Sequence, residues 1–352
     1  MSDIFNTPPP QIRNEIAQEF LYKYYGISGS LDRLSSDRDL NFKITSPDGV
    51  FVMKIANSSE DKNILEMQNM AIRHISSQND DFELPTPLSS NQNKEILNIE
   101  DGNNKYLVRL LTYIEGDFLK DVKQNNKMLF SVGEFLGKLD RALESFCHNA
   151  SEREFIWDAA QIDTLSHQLK YSKSDKSLIQ FFINSYKDRV HPHLGKLSKS
   201  IIHNDGNDHN VIIGSNGKIK SIIDFGDMTF TLKALEPAVS MAYTAISQDN
   251  PFELLGSLLK GYDFVQALSK YELEAVMYLM CLRMCVTVNM SVYRKKLFPE
   301  NDYISISENN ARSFLCCWIR CFTLSKWNGN CRRLDVSSLI YFNGRPYFIY
   351  GI

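Results

Sequence analysis

A predicted β-hairpin in the second half of the chain constrains the fold more than any other segment. Two β-prone apolar runs, Val211–Ile213 and Ile219–Ile223, flank the pair Asn216-Gly217. An Asn-Gly pair between such runs is a strong short-range signal for a hairpin, because both residues tolerate a positive φ. If they are the two central residues of the turn, antiparallel pairing places Asn210 opposite Ile223. The polar residues at the open end of the hairpin therefore lie close together.

The residues at this open end have side chains that suit a metal ion and a general base. Asn210 directly precedes the first strand, and Asp224 directly follows the second. Mg²⁺ prefers carboxylate and carbonyl oxygens as ligands and keeps waters and phosphate oxygens as the others. Asp205 lies in the loop before Asn210, where it can accept or orient the proton of a hydroxyl group. The pattern predicts Asp205 as the catalytic base and Asn210 and Asp224 as magnesium ligands.

The first third of the chain has the pattern of an antiparallel sheet with one inserted helix. Apolar residues at four-residue spacing predict a leading helix over Gln11–Tyr25. The turn residues Asp48-Gly49 separate two β-rich runs, and Asp101-Gly102 separates two more. The predicted strands are Leu40–Thr45, Val50–Ile55, Glu95–Ile99 and Tyr106–Tyr113, and the predicted inserted helix is Glu60–His74.

The second of these strands carries a lysine that can reach a phosphate. Strand alternation places Val52 and Lys54 on one face, so that an apolar side chain can cover a nucleotide base while the ammonium contacts phosphates. A buried lysine needs an acidic partner. We predict that Glu66, in the following helix, is this partner, and Glu60 and Asp61 are the alternatives.

From about residue 119 onward, the pattern changes to long amphipathic helices. We place a boundary between an N-terminal lobe, residues 1–114, and a C-terminal lobe, residues 115–352. The tail after about residue 323 has no clear periodicity and is left unassigned. The predicted helices lie near residues 127–146, 161–172, 175–190, 232–247, 252–261, 271–292 and 307–322.

The composition excludes several classes of protein. The chain has 39 Lys and Arg residues against 42 Asp and Glu residues and no long basic block, so we expect no nucleic-acid partner. Seven cysteines are scattered without CxxC pairs, which is typical of a reducing compartment. The most apolar segment, Ala275–Val288, is interrupted by Arg283, and the N-terminus has no signal pattern. We therefore expect a soluble cytoplasmic protein with no membrane partner.

Three other groups of residues have a plainer interpretation. His203 and His209 have no third ligand at zinc spacing, so we expect His203 to brace its loop by hydrogen bonding. The group formed by Cys316, Cys317, Cys321 and Phe322 lies on a predicted helix and is expected to serve packing and not redox chemistry. Trp157 either belongs to the core or lines a substrate pocket.

These motifs resemble the aminoglycoside phosphotransferase and choline kinase superfamily. Its signature His-x-Asp-x-x-x-x-Asn is matched by His203, Asp205 and Asn210, and its Asp-Phe-Gly motif by Asp224-Phe225-Gly226. Within the superfamily, the closer resemblance is to hydroxylysine kinases and related phosphotransferases that act on amino alcohols or hydroxyl-bearing amino acids. The similarity covers about residues 12–322 and includes Ser36–Phe42, Val52–Asn57, Leu107–Tyr113, Asn204–Asn210 and Asp224–Met228.

The resemblance implies an α+β, protein-kinase-like fold of two lobes. The N-terminal lobe would hold an antiparallel sheet with one helix, and the mostly helical C-terminal lobe would carry the catalytic-loop hairpin. The implied activity is transfer of the γ-phosphate of ATP or GTP, with Mg²⁺, to a hydroxyl group of an amine-bearing small molecule. The implied base is Asp205.

The same resemblance assigns residues to the nucleotide. The loop Ser35–Asn41, which includes Arg38, covers the phosphates, and Lys54 binds them. Leu111 and Tyr113 belong to the connection that binds adenine. The loop lacks Gly-x-Gly-x-x-Gly, so a protein substrate is less expected than a small molecule.

Two residues are candidates for contacts with the acceptor substrate. Asp227, beside the metal site, has the charge and position to hold a substrate ammonium, and Trp157 is the second candidate. Two alternative functions stay open, an antibiotic phosphotransferase of the aminoglycoside type and a catalytically inactive nucleotide-binding regulator. The identity of the hydroxyl compound, the choice between ATP and GTP, and the oligomeric state are also open.

Overall fold

The computed structural model describes residues 3–78, 82–102, 104–248 and 251–327, together with two short strands beyond them. The helices are α1 (Asn14–Tyr25), α2 (Lys62–Gln78), α3 (Asn126–Leu143), α4 (Ile162–Gln168), α5 (Lys176–Arg189), α6 (Leu235–Ser247), α7 (Phe252–Val265), α8 (Lys270–Leu297) and α9 (Glu308–Trp327). The strands are β1 (Ser30–Leu34), β2 (Leu40–Ser46), β3 (Gly49–Ile55), β4 (Leu97–Asp101), β5 (Asn104–Thr112), β6 (Asp117–Phe118), β7 (Lys199–Ile202), β8 (Val211–Ile213), β9 (Ile219–Ile222), β10 (Thr229–Leu232), β11 (Tyr341–Phe342) and β12 (Arg345–Pro346). This order confirms the predicted α+β class.

The N-terminal sheet has the strand order β1-β2-β3-β5-β4, and all neighbouring strands are antiparallel. One face packs against α1 through the buried side chains of Ala17, Phe20, Leu21, Phe42, Ile44, Met53, Ile55, Val108 and Leu110. Side chains alternate between the two faces of a strand, so the opposite face carries Val52 and Lys54 of β3. Their register partners on β5 are Leu111 and Arg109. Val52 and Lys54 therefore share a face, as predicted.

The predicted hairpin has the expected register at its open end but a longer turn. Val211 pairs with Ile222, and the N–H of Ile223 donates to the carbonyl of Asn210 at 2.9 Å. The turn spans residues 214–218, and a β-bulge shifts the register between Ile212 and Ile213. The bulge compensates for the longer turn. The strand ends that carry the polar residues therefore meet as predicted.

Strands β1, β6, β7 and β10 are absent from the sequence prediction. β1 is an edge strand with mostly exposed side chains, so its sequence lacks a clear apolar alternation. β7 pairs with β10 over four residues, and β6 pairs with β8 over two. Strands this short give no periodic signal in the sequence. α9 continues to Trp327, beyond the predicted end near residue 322. The rest of the unassigned tail lies outside the described residues, apart from β11 and β12.

Helix α8 passes through the larger apolar core, and most of its side chains are buried. A capping box begins it, because the Ser269 hydroxyl accepts the Glu272 N–H while the Glu272 carboxylate accepts the Ser269 N–H. By length and composition alone, α8 is long and apolar enough to cross a membrane, but 94% of its most apolar window is buried inside the protein. We interpret α8 as a core helix.

Two glycines allow α3 and α7 to approach each other closely. A Cβ atom on Gly133 of α3 would overlap the carbonyl oxygen of Leu258, and one on Gly261 of α7 would overlap the carbonyl oxygen of Phe130. Both obstacles are main-chain atoms of a helix, which cannot move aside as a flexible side chain can.

Replacing Gly261 with Ala should therefore lower the free energy of unfolding by about 3 kcal/mol. Urea unfolding followed by circular dichroism measures this change. Gly195→Ala is the matched control, because a Cβ atom there meets nothing within 4 Å, and it should change stability by less than about 1 kcal/mol. Equal stability of the two variants would contradict the close packing of α3 on α7.

Candidate active site

A buried glutamate of α6 holds the loop that precedes β8. Asn204 has a φ of 63°, a left-handed conformation that is uncommon for a residue with a side chain. Glu236 accepts the Asn204 N–H through Oε2 at 2.7 Å, and burial raises the pKa of Glu236 to about 7. This bond satisfies a buried donor and fixes the backbone one residue before Asp205.

His203 braces the same loop, as predicted. Its Nδ1 accepts the Asp205 N–H at 3.2 Å, and its Nε2 lies 3.2 Å from the carbonyl oxygen of Ile223. Burial lowers the pKa of His203 to about 4, so the ring is neutral near pH 7. The two partners then assign the proton to Nε2, which donates to Ile223. His203 thus ties the loop to the strand that leads to Asp224.

Three side chains hold the carboxylate of Asp205. Arg283 and Asn207 donate to Oδ1, each at 2.9 Å, and the Asn210 amide donates to Oδ2 at 2.7 Å. Burial and the nearby Asp227 carboxylate raise the pKa of Asp205 to about 8, although the Arg283 guanidinium opposes the shift. Asp205 is therefore oriented and is more basic than an ordinary aspartate.

Arg283 was not identified as a site residue from the sequence. Only 2% of its side chain is exposed, and it donates to the Trp157 carbonyl oxygen at 2.7 Å as well as to Asp205. Its guanidinium lies 4.7 Å from the Trp157 ring centroid. The signal in the sequence is the one charged residue in the apolar segment Ala275–Val288, since such a charge is rarely buried without a partner.

The predicted phosphate-binding lysine meets the predicted metal ligand. Lys54 Nζ lies 2.9 Å from Asp224 Oδ1. Desolvation by the walls of the cleft raises the pKa of Asp224, but attraction and a hydrogen bond from Lys54 outweigh it and hold that pKa below its usual value. Asp224 is therefore a carboxylate at neutral pH.

Lys54 and Glu66, both within the described part of the chain, do not form the predicted ion pair. Glu66 pairs instead with Lys62, one helical turn earlier, at 2.7 Å, and borders a groove between α1, α2 and β4. The reason is the rotation of α2, which turns Gln68 and not Glu66 toward the cleft. Of the alternative partners, Glu60 does line the cleft.

The loop between β1 and β2 is attached to the helical half of the protein. Arg38 Nη2 lies 2.8 Å from Asp227 Oδ1, so the carboxylate that we expected to hold a substrate ammonium pairs with a guanidinium here. Arg294 of α8 donates to the Asp37 carboxylate at 3.0 Å and to the Asp37 carbonyl at 2.9 Å. It also donates to the carbonyl of Phe5, whose ring lies 5.4 Å from the Arg38 guanidinium. The N-terminal segment thus supports this loop.

A cavity of about 180 Å³ lies beside Asp205 and Asp224. The structure brings most of the predicted site residues into its lining, namely Arg38, Lys54, Trp157, Asp205, Asn210, Asp224 and Asp227. Tyr243 and Tyr303 also line it and were not predicted.

Leu111 and Tyr113, the residues predicted to bind adenine, are not among the described residues that line this cavity. Leu111 is buried opposite Val52, and the N–H of Tyr113 donates to the carbonyl of Val50 at 3.1 Å. The ammonium of Lys43 lies 4.4 Å from the Tyr113 ring centroid. Both residues therefore lie where β5 leaves the sheet.

Sequence comparison relates the chain to known enzymes. The profile of the phosphotransferase enzyme family matches residues 30–272. Hydroxylysine kinase of Mus musculus is 30% identical over 301 residues, which are 78% of this chain and 80% of that protein. Hydroxylysine kinase of Xenopus laevis is 30% identical over 331 residues, which are 86% of this chain and 88% of that protein.

Two solved structures share the fold. An amicoumacin kinase in complex with AMP-PNP, Ca²⁺ and Ami has a TM-score of 0.69 at 14% identity, covering 87% of this chain and 94% of that chain. A microcompartment-associated aminopropanol kinase has a TM-score of 0.67 at 13% identity, covering 89% and 98%. These likenesses confirm the predicted protein-kinase-like fold. The match to the family profile also covers most of the sequence. The chain therefore belongs to the phosphotransferase enzyme family.

Proposed function

We propose that the protein is an ATP-dependent kinase for a hydroxyl group of a small amine-bearing metabolite, such as a hydroxylysine-like amino acid or an amino alcohol. The observation that carries the proposal is the position of Asp205, which lines one cavity with Asn210, Asp224 and Lys54. A base, two oxygen ligands and a cation are the groups that phosphoryl transfer requires around one acceptor. The relatives named hydroxylysine kinase support the substrate class.

Asp205 acts as the base in this proposal. The bonds from Arg283, Asn207 and Asn210 hold its carboxylate in one orientation before the substrate arrives. A group with a pKa near the working pH is well suited to take the proton of a hydroxyl as the oxygen attacks phosphorus. The proton of the acceptor passes to Asp205, and the acceptor oxygen forms the new bond to the γ-phosphorus of ATP. The bond from that phosphorus to the β,γ-bridging oxygen breaks, and ADP leaves with its electron pair.

Asn210 and Asp224 fit Mg²⁺ as its protein ligands. The Asn210 amide nitrogen donates to Asp205, which leaves its oxygen for a cation. Within the described part of the chain, Lys54 and the Gly226 N–H both donate to Oδ1 of Asp224, which leaves Oδ2. Two protein oxygens suffice, because Mg²⁺ keeps waters and phosphate oxygens in its shell. The bound ion would neutralise charge on the phosphates.

In this proposal, the nucleotide binds along the face of the sheet that carries Val52 and Lys54. Lys54 and Arg38 carry positive charge into the cavity and would bind phosphate oxygens. Val52 and Leu111 form a paired apolar surface for the base, and Tyr113 would contribute to the adenine-binding connection. ATP is the proposed donor, and GTP is the alternative.

In this proposal, the acceptor binds on the side of Asp205 that faces the helices. Trp157 and Asp227 line the cavity there and are our candidates for contacts with the acceptor. An ammonium group of the acceptor can replace Arg38 as the partner of Asp227, or the Asp227 carboxylate can bind both cations. We propose a cytoplasmic location, because the described cysteines are free and free thiols persist in a reducing compartment.

The test is acceptor-dependent nucleotide turnover by the purified protein. Mg·ATP and Mg·GTP are each supplied with 5-hydroxylysine, homoserine, choline, ethanolamine, threonine, serine, methylthioribose or kanamycin. We expect stimulation of ADP formation by an amine-bearing alcohol, with the phosphorylated acceptor identified by mass spectrometry.

Two other outcomes would redirect the assignment. Stimulation by kanamycin alone would favour an antibiotic phosphotransferase. Nucleotide binding without phosphorylation of any acceptor in the panel would favour an inactive nucleotide-binding regulator and contradict the proposed class of substrates.

A further inference from the structure

Arg109 of β5 is a buried cation beside the phosphate-binding lysine. It is the register partner of Lys54, so the two side chains project from the same face of the sheet. Only 3% of Arg109 is exposed, yet it lines the cavity that contains Asp205 and Asp224. No role has been given to it so far in the proposed reaction.

The hydrogen-bond partners of Arg109 are neutral. Its guanidinium donates to Gln68 Oε1 at 2.6 Å, to Asn69 Oδ1 at 2.8 Å and to the Leu65 carbonyl at 3.4 Å. Its Nε is also buried and has no hydrogen-bond partner among the residues that the structure describes. Helix α2 therefore positions the guanidinium through amides without neutralising it.

This differs from the other cations of the cleft. Arg38, Lys54 and Arg294 each form an ion pair with an aspartate. Within the ranges that the structure describes, no carboxylate lies within 4 Å of the Arg109 guanidinium. The carboxylates of Asp39, Asp224 and Glu60 attract the guanidinium only from a longer distance, and burial lowers the pKa of Arg109. Because guanidinium stays protonated at neutral pH, a buried positive charge faces the cavity without a partner of its own.

A buried charge without a counter-ion is costly, and its presence in a cavity indicates a ligand of opposite charge. We propose that Arg109 binds a phosphate oxygen of the nucleotide beside Lys54, as a third cation of the proposed phosphate site after Lys54 and Arg38. The planar guanidinium suits phosphate, since its parallel N–H groups match two oxygens. The inference rests on the proposed nucleotide-dependent function. It also explains why a neutral residue stands at position 68, since a carboxylate there would neutralise Arg109.

The sharpest test is Gln68→Glu, which keeps the size of the side chain and adds only a charge. The new carboxylate would pair with Arg109 and compete with phosphate. We expect the affinity for Mg·ATP, measured by isothermal titration calorimetry, to fall roughly 10-fold or more, while the melting temperature stays equal or rises. A merely structural link between α2 and β5 would be strengthened by the same change, and Mg·ATP affinity would not fall.

Arg109 variants supply the second test. Arg109→Met should weaken Mg·ATP binding roughly 10- to 100-fold and leave adenosine binding within about 3-fold, and Arg109→Lys should recover part of the lost affinity. Arg73→Met is the control, because Arg73 also belongs to this lobe but pairs with Glu95 at the surface. It should bind both ligands like the unmodified protein.

The outcomes separate the two proposals. If the unmodified protein binds Mg·ATP and Gln68→Glu and Arg109→Met bind it equally well, the role of Arg109 is refuted and the proposed function stands. Equal losses for Mg·ATP and adenosine would also refute it, because they would indicate a general distortion of the cleft. Failure of the unmodified protein to bind either Mg·ATP or Mg·GTP would overturn both proposals.

Discussion

Replacement of Asp205 by Asn is expected to lower kcat for acceptor phosphorylation by about 10²- to 10⁴-fold. The amide has nearly the shape of the carboxylate, but it cannot accept a proton from the acceptor hydroxyl. Its nitrogen would also face either Arg283 or the Asn210 amide, both of which donate to Asp205 in the structure. Initial rates with saturating Mg·ATP and acceptor measure the loss. The Kd for Mg·ATP should change by less than about 3-fold, since the proposed base contacts the acceptor and not the nucleotide.

Asp163→Asn is the control for this variant, because Asp163 is an exposed residue in the first turn of α4. It should retain the full rate. If the Asp205→Asn protein kept its rate while the control also behaved normally, the assignment of the base would be wrong. A general collapse would show as a lower melting temperature and as loss of nucleotide binding.

Asp224→Asn should also lower kcat, by about 10²-fold or more at a fixed Mg²⁺ concentration. The cause differs from that in Asp205→Asn, because this change weakens the proposed metal site and not the base. The carboxylate is the charged member of the proposed metal pair and the partner of Lys54. Its loss weakens the attraction for the cation and leaves the lysine ammonium without its aspartate. The Mg²⁺ concentration that gives half-maximal rate should therefore rise by about 10-fold or more, which a Mg²⁺ titration measures.

The two aspartate variants should differ in their response to Mg²⁺. Excess Mg²⁺ should restore part of the rate of Asp224→Asn and none of the rate of Asp205→Asn, because only the first change weakens the metal site. The same Asp163→Asn protein controls for the charge change. An unchanged Mg²⁺ requirement for Asp224→Asn would remove Asp224 from the proposed metal site.

The parts of the site that the sequence predicts depend on local patterns. The distance between Asp205 and Asn210 is set within one loop, and the meeting of Asn210 with the residues before Asp224 is set by one hairpin. The shared face of Val52 and Lys54 follows from the two-residue period of a strand. Each of these relations involves neighbouring segments, and each is present in the structure.

The parts that the sequence does not predict depend on how distant elements pack. Arg283 is 78 positions from Asp205, and Arg294 is 257 positions from Asp37. No short-range pattern relates such pairs, because the relation arises only when α8 packs beside the cleft. The assignment of Glu66 failed for a related reason. Helical periodicity shows which residues share a face of α2, but it does not show which face turns toward β3 and β5.

Helix α8 has a further consequence for the geometry of the reaction. Its Arg283 holds Asp205, and its Arg294 holds the loop of Asp37 and Arg38. The two arginines are about three turns apart on one uninterrupted helix, roughly 16 Å along its axis. The helix therefore fixes the distance between the proposed base, Asp205, and the loop proposed to cover the phosphates. One residue inserted between the two arginines would rotate Arg294 by about 100° around the axis. Arg294 would then point away from Asp37, so the number of residues between the two arginines cannot change by one.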